Sequence, residues 1–263
     1  MTPSVFDRKF IVGMVHLLPL PGASGFDGNI EKIEQRALED AEKLLEGGVD
    51  ALIIENFGDE PYDTSISLEA YSVMLRIADK VQAQIDIPFG VNVQFNCIEE
   101  EWAMSYALGA DFLRAETYVE TRFSSYGRGE PSAARLQRLK KQYPSDTMIF
   151  ADINGKHTYG IPGVSILDAA HDAKAAKADA VIITGKYTGQ NPSVEDIKEI
   201  KEFLGDMPVL VGSGANKDNA VDFLKYADGI IVGSSFKVDG DVYKEVDVRR
   251  VQEFMDAVKE AYR

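Results

Sequence analysis

Eight short apolar runs recur along the chain, and longer segments with a helical period of apolar residues separate them. Each run is rich in Val, Ile, Phe and Leu, as is typical of strands that are buried on both faces. The eight runs are Phe10–Leu17, Ala51–Asn56, Phe89–Phe95, Phe112–Thr117, Met148–Asn154, Ala180–Gly185, Val209–Gly214 and Gly229–Ser235. We interpret them as eight strands.

The segments between the runs have the pattern of amphipathic helices. In the first of them Ile33, Ala37, Ala41 and Leu44 share one helical face, and Gly47–Gly48 follows as a stop signal. Eight alternations of strand and helix within 263 residues predict a single α/β domain over residues 1–263, folded as a closed (β/α)₈ TIM barrel. An open doubly wound sheet is the second interpretation.

A weak internal repeat favours the closed barrel. The second, fourth, sixth and eighth runs are each entered through a short turn that ends in aspartate, at Asp50, Asp111, Asp179 and Asp228. Such alternation fits a barrel assembled from repeated two-strand units. Each aspartate could equally serve as a local turn or cap residue, and the two interpretations are compatible.

Loop lengths indicate which end of the barrel carries the site. Long segments rich in Gly, Pro and aromatic residues follow several strands, at Leu18–Asn29, Phe57–Ser67, Tyr118–Pro131 and Gly155–Val164. TIM-barrel enzymes place their chemistry on the loops at the carboxyl ends of the strands. We therefore expect the site at this end.

Two glycine-rich turns predict a phosphate site. The seventh run ends in Gly212, Ser213 and Gly214 and the eighth in Gly233, Ser234 and Ser235, and Asn216 is expected to open the helix between them. Glycine lets a backbone approach an anion closely, and barrels of this class bind phosphate at these two loops. Alternatively, the glycines only permit tight turns.

Polar residues at alternate positions near the strand ends are expected to point into the barrel mouth, since the outer face of each strand packs under helices. Those with catalytic potential are His16, Glu55 or Asn56, Asn92, Arg114, Glu116 and Asp152, joined by Gln94 and by the substrate-binding candidates Asn154, Thr184 and Gly185. Opposite charges in a barrel mouth are costly unless they are paired. Arg114, Glu116 and Asp152 thus form either a catalytic cluster or a purely structural network.

Lys156 and His157 follow the fifth run and extend the catalytic set. Lys156 could form a Schiff base, although electrostatic contact with an anionic substrate is favoured, and His157 or Asp152 suits proton transfer. A divalent metal held by His16, Asp152 and His157 is a less favoured alternative, and no cofactor is assigned.

Composition limits the partners. With 43 acidic and 28 basic residues the net charge is −15, which argues against nucleic acid because a polyanion requires a basic surface. A solvated acidic exterior explains the charge, and a halophilic origin or a basic partner is the alternative. One cysteine excludes an internal disulfide, and no targeting segment or membrane-spanning run is found, so the expected location is the cytoplasm.

Six motifs together resemble the BtpA/SgcQ family over nearly the whole chain. They are Gly13–Gly22, Asp50–Asp59, Gly90–Val93, Ala151–His157, Val209–Gly214 and Asp228–Ser235. The family is named for a role in photosystem I biogenesis, with peripheral thylakoid association. Its members in organisms without photosynthesis, some encoded beside sugar-transport components, imply an enzyme of carbohydrate metabolism that acts on phosphorylated sugars.

Two functions therefore remain open. The first is an enzyme, a lyase, isomerase or transferase, that acts on a small phosphorylated, sugar-like substrate. The second is a non-catalytic ligand-binding or assembly factor, since this fold hosts many functions. A homo-oligomer is compatible with either function.

Overall fold

Eight parallel strands close into a barrel in the computed structural model, which describes residue 6 and residues 8–155, 158–185 and 191–262. The strands are β1 (Phe10–His16), β2 (Ala51–Glu55), β3 (Phe89–Asn92), β4 (Phe112–Ala115), the hairpin pair β5 (Arg122–Ser124) and β6 (Gly127–Gly129), β7 (Met148–Ile153), β8 (Ala180–Ile183), β9 (Val209–Val211) and β10 (Gly229–Val232). Pairing of β1 with β10, from Phe10 opposite Gly229 to Gly13 opposite Val232, closes the barrel. The predicted closed barrel is confirmed, and the open sheet is wrong.

Helices on the outside connect successive barrel strands, and a last helix follows β10. They are α1 (Ile30–Gly47), α2 (Leu68–Ala83), α3 (Ile98–Leu108), α4 (Ala133–Gln142), α5 (Ile166–Ala175), α6 (Val194–Leu204), α7 (Ala220–Leu224) and α8 (Val248–Tyr262). Helix α1 ends as predicted, with Gly48 in the left-handed region at a φ of 83°. None of the described helices is long and apolar enough to cross a membrane.

The prediction that Asn216 opens the helix after β9 is wrong. Asn219 is the N-cap residue of α7, which is only five residues long. The Asn216 side chain instead accepts hydrogen bonds from the backbone N–H groups of Asp218 and Asn219, at 2.9 and 3.2 Å. Asn216 thus builds a turn before the helix, as asparagine often does.

Every barrel strand begins at the predicted residue and ends sooner than predicted. Asn154 and Gly214 adopt positive φ values of 54° and 76°, and Ser234–Phe236 forms a 3₁₀ turn, so the chain leaves the sheet at these points. Asn56, Gln94, Glu116, Asn154 and Gly185 therefore lie in the loops just beyond the strands. The polar residues at the mouth belong partly to strands and partly to loops.

The aspartate repeat has one structural meaning at all four positions. Each aspartate before an even-numbered barrel strand accepts a hydrogen bond from a backbone N–H at or near the start of the preceding odd-numbered strand. The N–H groups of Ile11, Phe89, Ile149 and Val209 donate to Asp50, Asp111, Asp179 and Asp228 at 2.9, 2.8, 2.7 and 2.9 Å. The aspartates therefore join the strands in pairs at the end of the barrel opposite the mouth, which we call the closed end.

The barrel interior changes from apolar to polar towards the mouth. Phe10, Phe112 and Phe150 fill the closed end, and the rings of Phe112 and Phe150 stack with centroids 4.8 Å apart. Glycine at position 90 makes room for this layer, because a Cβ there would lie 2.2 Å from the Phe112 ring. Two residues further along β4 and β7 the strand alternation places Arg114 and Asp152 above the phenylalanines.

Candidate functional site

A buried ion pair forms the floor of the mouth. Arg114 donates from Nε and from one terminal nitrogen to the two carboxylate oxygens of Asp152, at 3.1 and 2.9 Å. The other terminal nitrogen lies 3.8 Å from Glu55, and all three side chains are at most 3% exposed. Burial opposes the charge on Arg114, but Asp152 and Glu55 outweigh burial and raise the pKa of the guanidinium above its ordinary value. The Arg114 guanidinium therefore stays charged, with the Asp152 and Glu55 carboxylates beside it.

Amide side chains form a second layer around the ion pair. Glu55 accepts a hydrogen bond from the Gln94 side chain, and the Asn92 amide donates to the Arg114 carbonyl at 3.1 Å. The Asn56 side chain points to the other side of the chain from that of Glu55. It accepts a hydrogen bond from the Gln94 backbone N–H at 2.7 Å and donates one to Asp59 at 3.0 Å. Of the two predicted alternatives, Glu55 faces the mouth and Asn56 ties two loops together.

The two glycine turns meet across a small cavity of about 50 Å³. Its lining includes Gly212–Gly214, Gly233, Ser234, His16, Glu55 and Arg114. A Cβ on Gly233 would lie 2.9 Å from the His16 ring, and Gly214 has a φ of 76° that favours glycine. Glycine at position 214 therefore suits the backbone angle of its turn, and glycine at position 233 leaves room for the His16 ring.

The other residues of the predicted phosphate set have structural partners. A Cβ on Gly212 would lie 2.4 Å from Ile182, so packing alone explains that glycine. The Ser213 hydroxyl accepts a hydrogen bond from the Gly185 N–H at 3.0 Å. Ser235 donates to the Ala215 carbonyl and lines a different cavity, beside Arg250. Within the predicted phosphate set, Gly214, Gly233 and Ser234 line the cavity without such a partner being needed to explain them, and the phosphate site stays a prediction.

A larger cavity of about 290 Å³ lies above the ion pair. Its walls are aromatic, and its floor includes Arg114, Glu116 and Asp152. Phe57, Arg114 and Val242 line both this cavity and the glycine-turn cavity, so the two adjoin at Arg114. The mouth is therefore a two-part site with one shared guanidinium.

The loop after β7 is held by the hairpin β5–β6. Arg122, 5% exposed, donates to Glu120 at 2.9 Å, to the Thr158 hydroxyl at 2.8 Å and to the Asn154 side chain at 3.1 Å. Glu120 in turn accepts from the Asn154 backbone N–H at 2.6 Å. Asn154 is therefore engaged in holding the loop.

Lys156 and His157, two of the predicted catalytic residues, lie outside the described residues. Within the described ranges, no group of three His, Cys, Asp or Glu side chains is arranged to hold a metal ion. The predicted metal set of His16, Asp152 and His157 includes an undescribed member and stays a prediction.

Thr184 is buried near Gly212, and its hydroxyl has no hydrogen-bond partner among the described residues.

Sequence reasoning missed the aromatic wall. Phe57, Phe95 and three tyrosines line the larger cavity from separate loops, at Tyr62, Tyr126 and Tyr243. The abundance of aromatic residues in the long loops was the available signal, but it is equally typical of loop packing. Only the folded chain brings these residues together with Glu60.

Relatives of similar length span three kinds of organism. The chain is 37% identical to an uncharacterized protein of Methanocaldococcus jannaschii, covering 96% of each chain, and 34% identical to an uncharacterized mitochondrial protein of Caenorhabditis elegans, covering 95% and 93%. It is 33% identical to the photosystem I biogenesis protein BtpA of Synechocystis, over 95% of this chain and 88% of the relative.

Solved structures with the same architecture include an isomerase. The chain matches N-(5'-phosphoribosyl)anthranilate isomerase from Pyrococcus furiosus with a TM-score of 0.60 at 15% identity, covering 96% of this chain and all of the other. A structure described as native KDPGal matches with a TM-score of 0.59 at 15% identity, covering 95% of each chain. At such low identity these matches show the TIM-barrel fold alone.

The BtpA family model matches residues 7–260. The chain belongs to the BtpA family.

Proposed function

We propose that this protein is an enzyme acting on a small phosphorylated, sugar-like substrate, as a lyase, isomerase or transferase. One observation carries the proposal: the glycine-turn cavity and the larger cavity adjoin at Arg114, whose charge is buried and paired with Asp152. A phosphate bound at the glycine turns would therefore direct the rest of the substrate onto the charged floor.

The proposed phosphate site uses the backbone of Gly214, Gly233 and Ser234. Because α7 has only five residues, the turns themselves, and not a helix dipole, would bind the anion. Exposed N–H groups of a turn can form an anion-binding concavity. The buried Arg114 guanidinium adds a positive charge at the same cavity.

The proposed chemistry is proton transfer at the floor of the larger cavity. Asp152 lines this cavity, and each of its oxygens retains lone-pair capacity beyond the hydrogen bond from Arg114. We assign the acid–base role to Asp152 or His157, and the stabilisation of developing negative charge to Arg114 or Lys156. Glu55, Asn92 and Glu116 would orient these groups.

A non-catalytic role in assembly is the second candidate. The printed name of the Synechocystis relative, a photosystem I biogenesis protein, favours it. Under this function the mouth would bind a ligand without converting it. Ligand binding therefore has to be measured separately from turnover.

The test is a thermal-shift screen with phosphorylated sugars, followed by product analysis for each ligand that binds. A ligand at about 100 times its dissociation constant stabilises the protein by about 2.7 kcal/mol. Gly214→Val should abolish the stabilisation by phosphate compounds. Gly109→Val is the matched control, because Gly109 also has a positive φ, 64°, but lies at the closed end of the barrel.

Binding together with turnover supports the enzyme, and binding without turnover of any bound ligand supports the second candidate. If phosphorylated sugars stabilise Gly214→Val as strongly as the unsubstituted protein, the proposed phosphate site is wrong.

A further inference from the structure

Five aromatic side chains from four loops surround the larger cavity, and we call this set the aromatic cage. Phe57 and Tyr62 follow β2, Phe95 follows β3, Tyr126 lies in the β5–β6 hairpin and Tyr243 follows β10. The Tyr62 and Tyr126 rings meet edge to face at 5.0 Å, and Phe57 and Tyr243 lie 5.8 Å apart. Tyr243 is 64% exposed, so the cage opens to solvent on that side.

A carboxylate sits among these rings. The two oxygens of Glu60 accept hydrogen bonds from the hydroxyls of Tyr243, at 2.7 Å, and Tyr126, at 3.5 Å. The two hydroxyl groups that donate to Glu60 are neutral. The tyrosine hydroxyls therefore hold the carboxylate in place without neutralising its charge.

The electrostatic surroundings of the tyrosines agree with a negative cavity. Burial raises the pKa of Tyr62, and the carboxylates of Glu55 and Glu60 raise it further. The Arg114 guanidinium at the floor is bound on two of its nitrogens by Asp152. An anionic group would be repelled by Glu60, whereas a cation would be attracted both by this carboxylate and by the faces of the rings.

We propose that the aromatic cage and Glu60 bind a positively charged nitrogen of the ligand, as a protonated amine or a quaternary ammonium group. The negative faces of aromatic rings attract a cation, and desolvation in a cavity strengthens that attraction. The inference extends the proposed function, since the ligand would then carry a phosphate at the glycine turns and a cationic nitrogen in the cage. Such a ligand is an amino derivative of a sugar phosphate or a compound of similar charge pattern.

The test compares two probes of equal shape, choline and 3,3-dimethylbutan-1-ol, in which carbon replaces the charged nitrogen. Isothermal titration calorimetry at constant ionic strength gives the dissociation constant of each. We expect choline to bind about tenfold more tightly, within the range of measured cation–π energies. Equal binding of the two probes, or no binding of choline, would overturn the proposal.

Two substitutions locate the choline site. Glu60→Gln and Tyr126→Leu should each weaken choline binding by about threefold or more. Glu46→Gln removes an equal charge at the closed end of the barrel, and Tyr106→Leu removes a half-exposed ring from α3. Both controls should bind choline as the unsubstituted protein does, and an unchanged choline dissociation constant in both Glu60→Gln and Tyr126→Leu would contradict the proposal.

Titration of the same variants with inorganic phosphate separates this inference from the proposed function. Glu60→Gln and Tyr126→Leu should retain phosphate binding, which also shows that they are folded. Phosphate binding without choline binding overturns only the cationic site. Choline binding without phosphate binding overturns only the phosphate site.

Discussion

Arg114 is the residue on which the polar layer of the barrel depends. It bonds Asp152 through two nitrogens, approaches Glu55 with the third and lines both cavities of the mouth. Buried ion pairs seldom stabilise a fold more than apolar residues of similar size would. We therefore expect the charges at this position to serve a ligand, as the proposed function requires.

Removal of one partner of this pair should nevertheless be costly. We expect Asp152→Asn to lower the free energy of unfolding by about 3 kcal/mol, because the Arg114 guanidinium then stays buried with weaker compensation. Asp222→Asn, which breaks an exposed ion pair with Lys225, should change it by less than about 0.5 kcal/mol. Urea denaturation measures both, and equal small effects would show that Asp152 is not a buried partner of Arg114.

Glu101 should make stability depend on pH. Burial raises the pKa of this carboxyl well above its usual range, while a hydrogen bond from the Val93 N–H, at 3.1 Å, opposes the shift. At a pH between the unfolded-chain and folded-state pKa values, the folded protein therefore keeps the Glu101 proton that the unfolded chain has released. The stability that this proton provides is complete below about pH 4.5, the pKa in the unfolded chain, and is lost as the pH rises through the raised folded-state pKa.

Glu101→Gln, which mimics the protonated carboxyl, should remove this loss. Urea denaturation from pH 5 to pH 8 should therefore show a shallower decline of stability for the variant than for the unsubstituted protein. Glu99→Gln, in the same helical turn but exposed and paired with Arg135, should keep the original slope. Parallel pH profiles for Glu101→Gln and the unsubstituted protein would contradict the assignment.

At the scale of elements, the four aspartate hydrogen bonds predict that each strand pair contributes to stability. Asp111→Ala leaves the Phe89 N–H without its 2.8 Å hydrogen bond and should lower the free energy of unfolding by about 1–3 kcal/mol. Asp206 is exposed in the turn before β9, so Asp206→Ala should change the free energy of unfolding little. If the two substitutions cost the same, the repeat is not a set of structural hydrogen bonds.

Strand positions and inward-facing residues could be predicted because they follow from two local regularities. Apolar runs mark where a strand enters the barrel, and alternation then places Glu55, Arg114 and Asp152 in phase with the core residues below them. Strand ends could not be predicted in the same way. The chain leaves the sheet where a backbone angle changes, as at Asn154 and Gly214, and the composition of a run does not record that change.

The aromatic cage could not be predicted because its members are far apart in sequence. Tyr243 and Glu60 are 183 positions apart and are joined by one hydrogen bond. Their proximity depends on the closure of the barrel and on the path of two loops. An aromatic residue in a loop sequence is equally compatible with packing, so the cavity becomes recognisable only after the loops are placed.

At the scale of the whole molecule, a buried ion pair joins the two ends of the barrel sequence. Lys237, after β10, donates to Asp40 of α1 at 2.7 Å, and both side chains are at most 1% exposed. Asp40 also accepts from the Val246 N–H at 2.7 Å. These bonds fix both ends of the segment that carries Val242 and Tyr243, and so position one wall of the mouth.

A crystal structure of the protein soaked in phosphate tests the central claim most directly, namely that the mouth binds a phosphorylated ligand at the two glycine turns. The account predicts tetrahedral density against the backbone of Gly214 and of Gly233–Ser234, on the side of the cavity that Arg114 lines. The same density should be missing from crystals of Gly214→Val. A well-ordered phosphate elsewhere in the mouth, with none at these turns, would contradict the account.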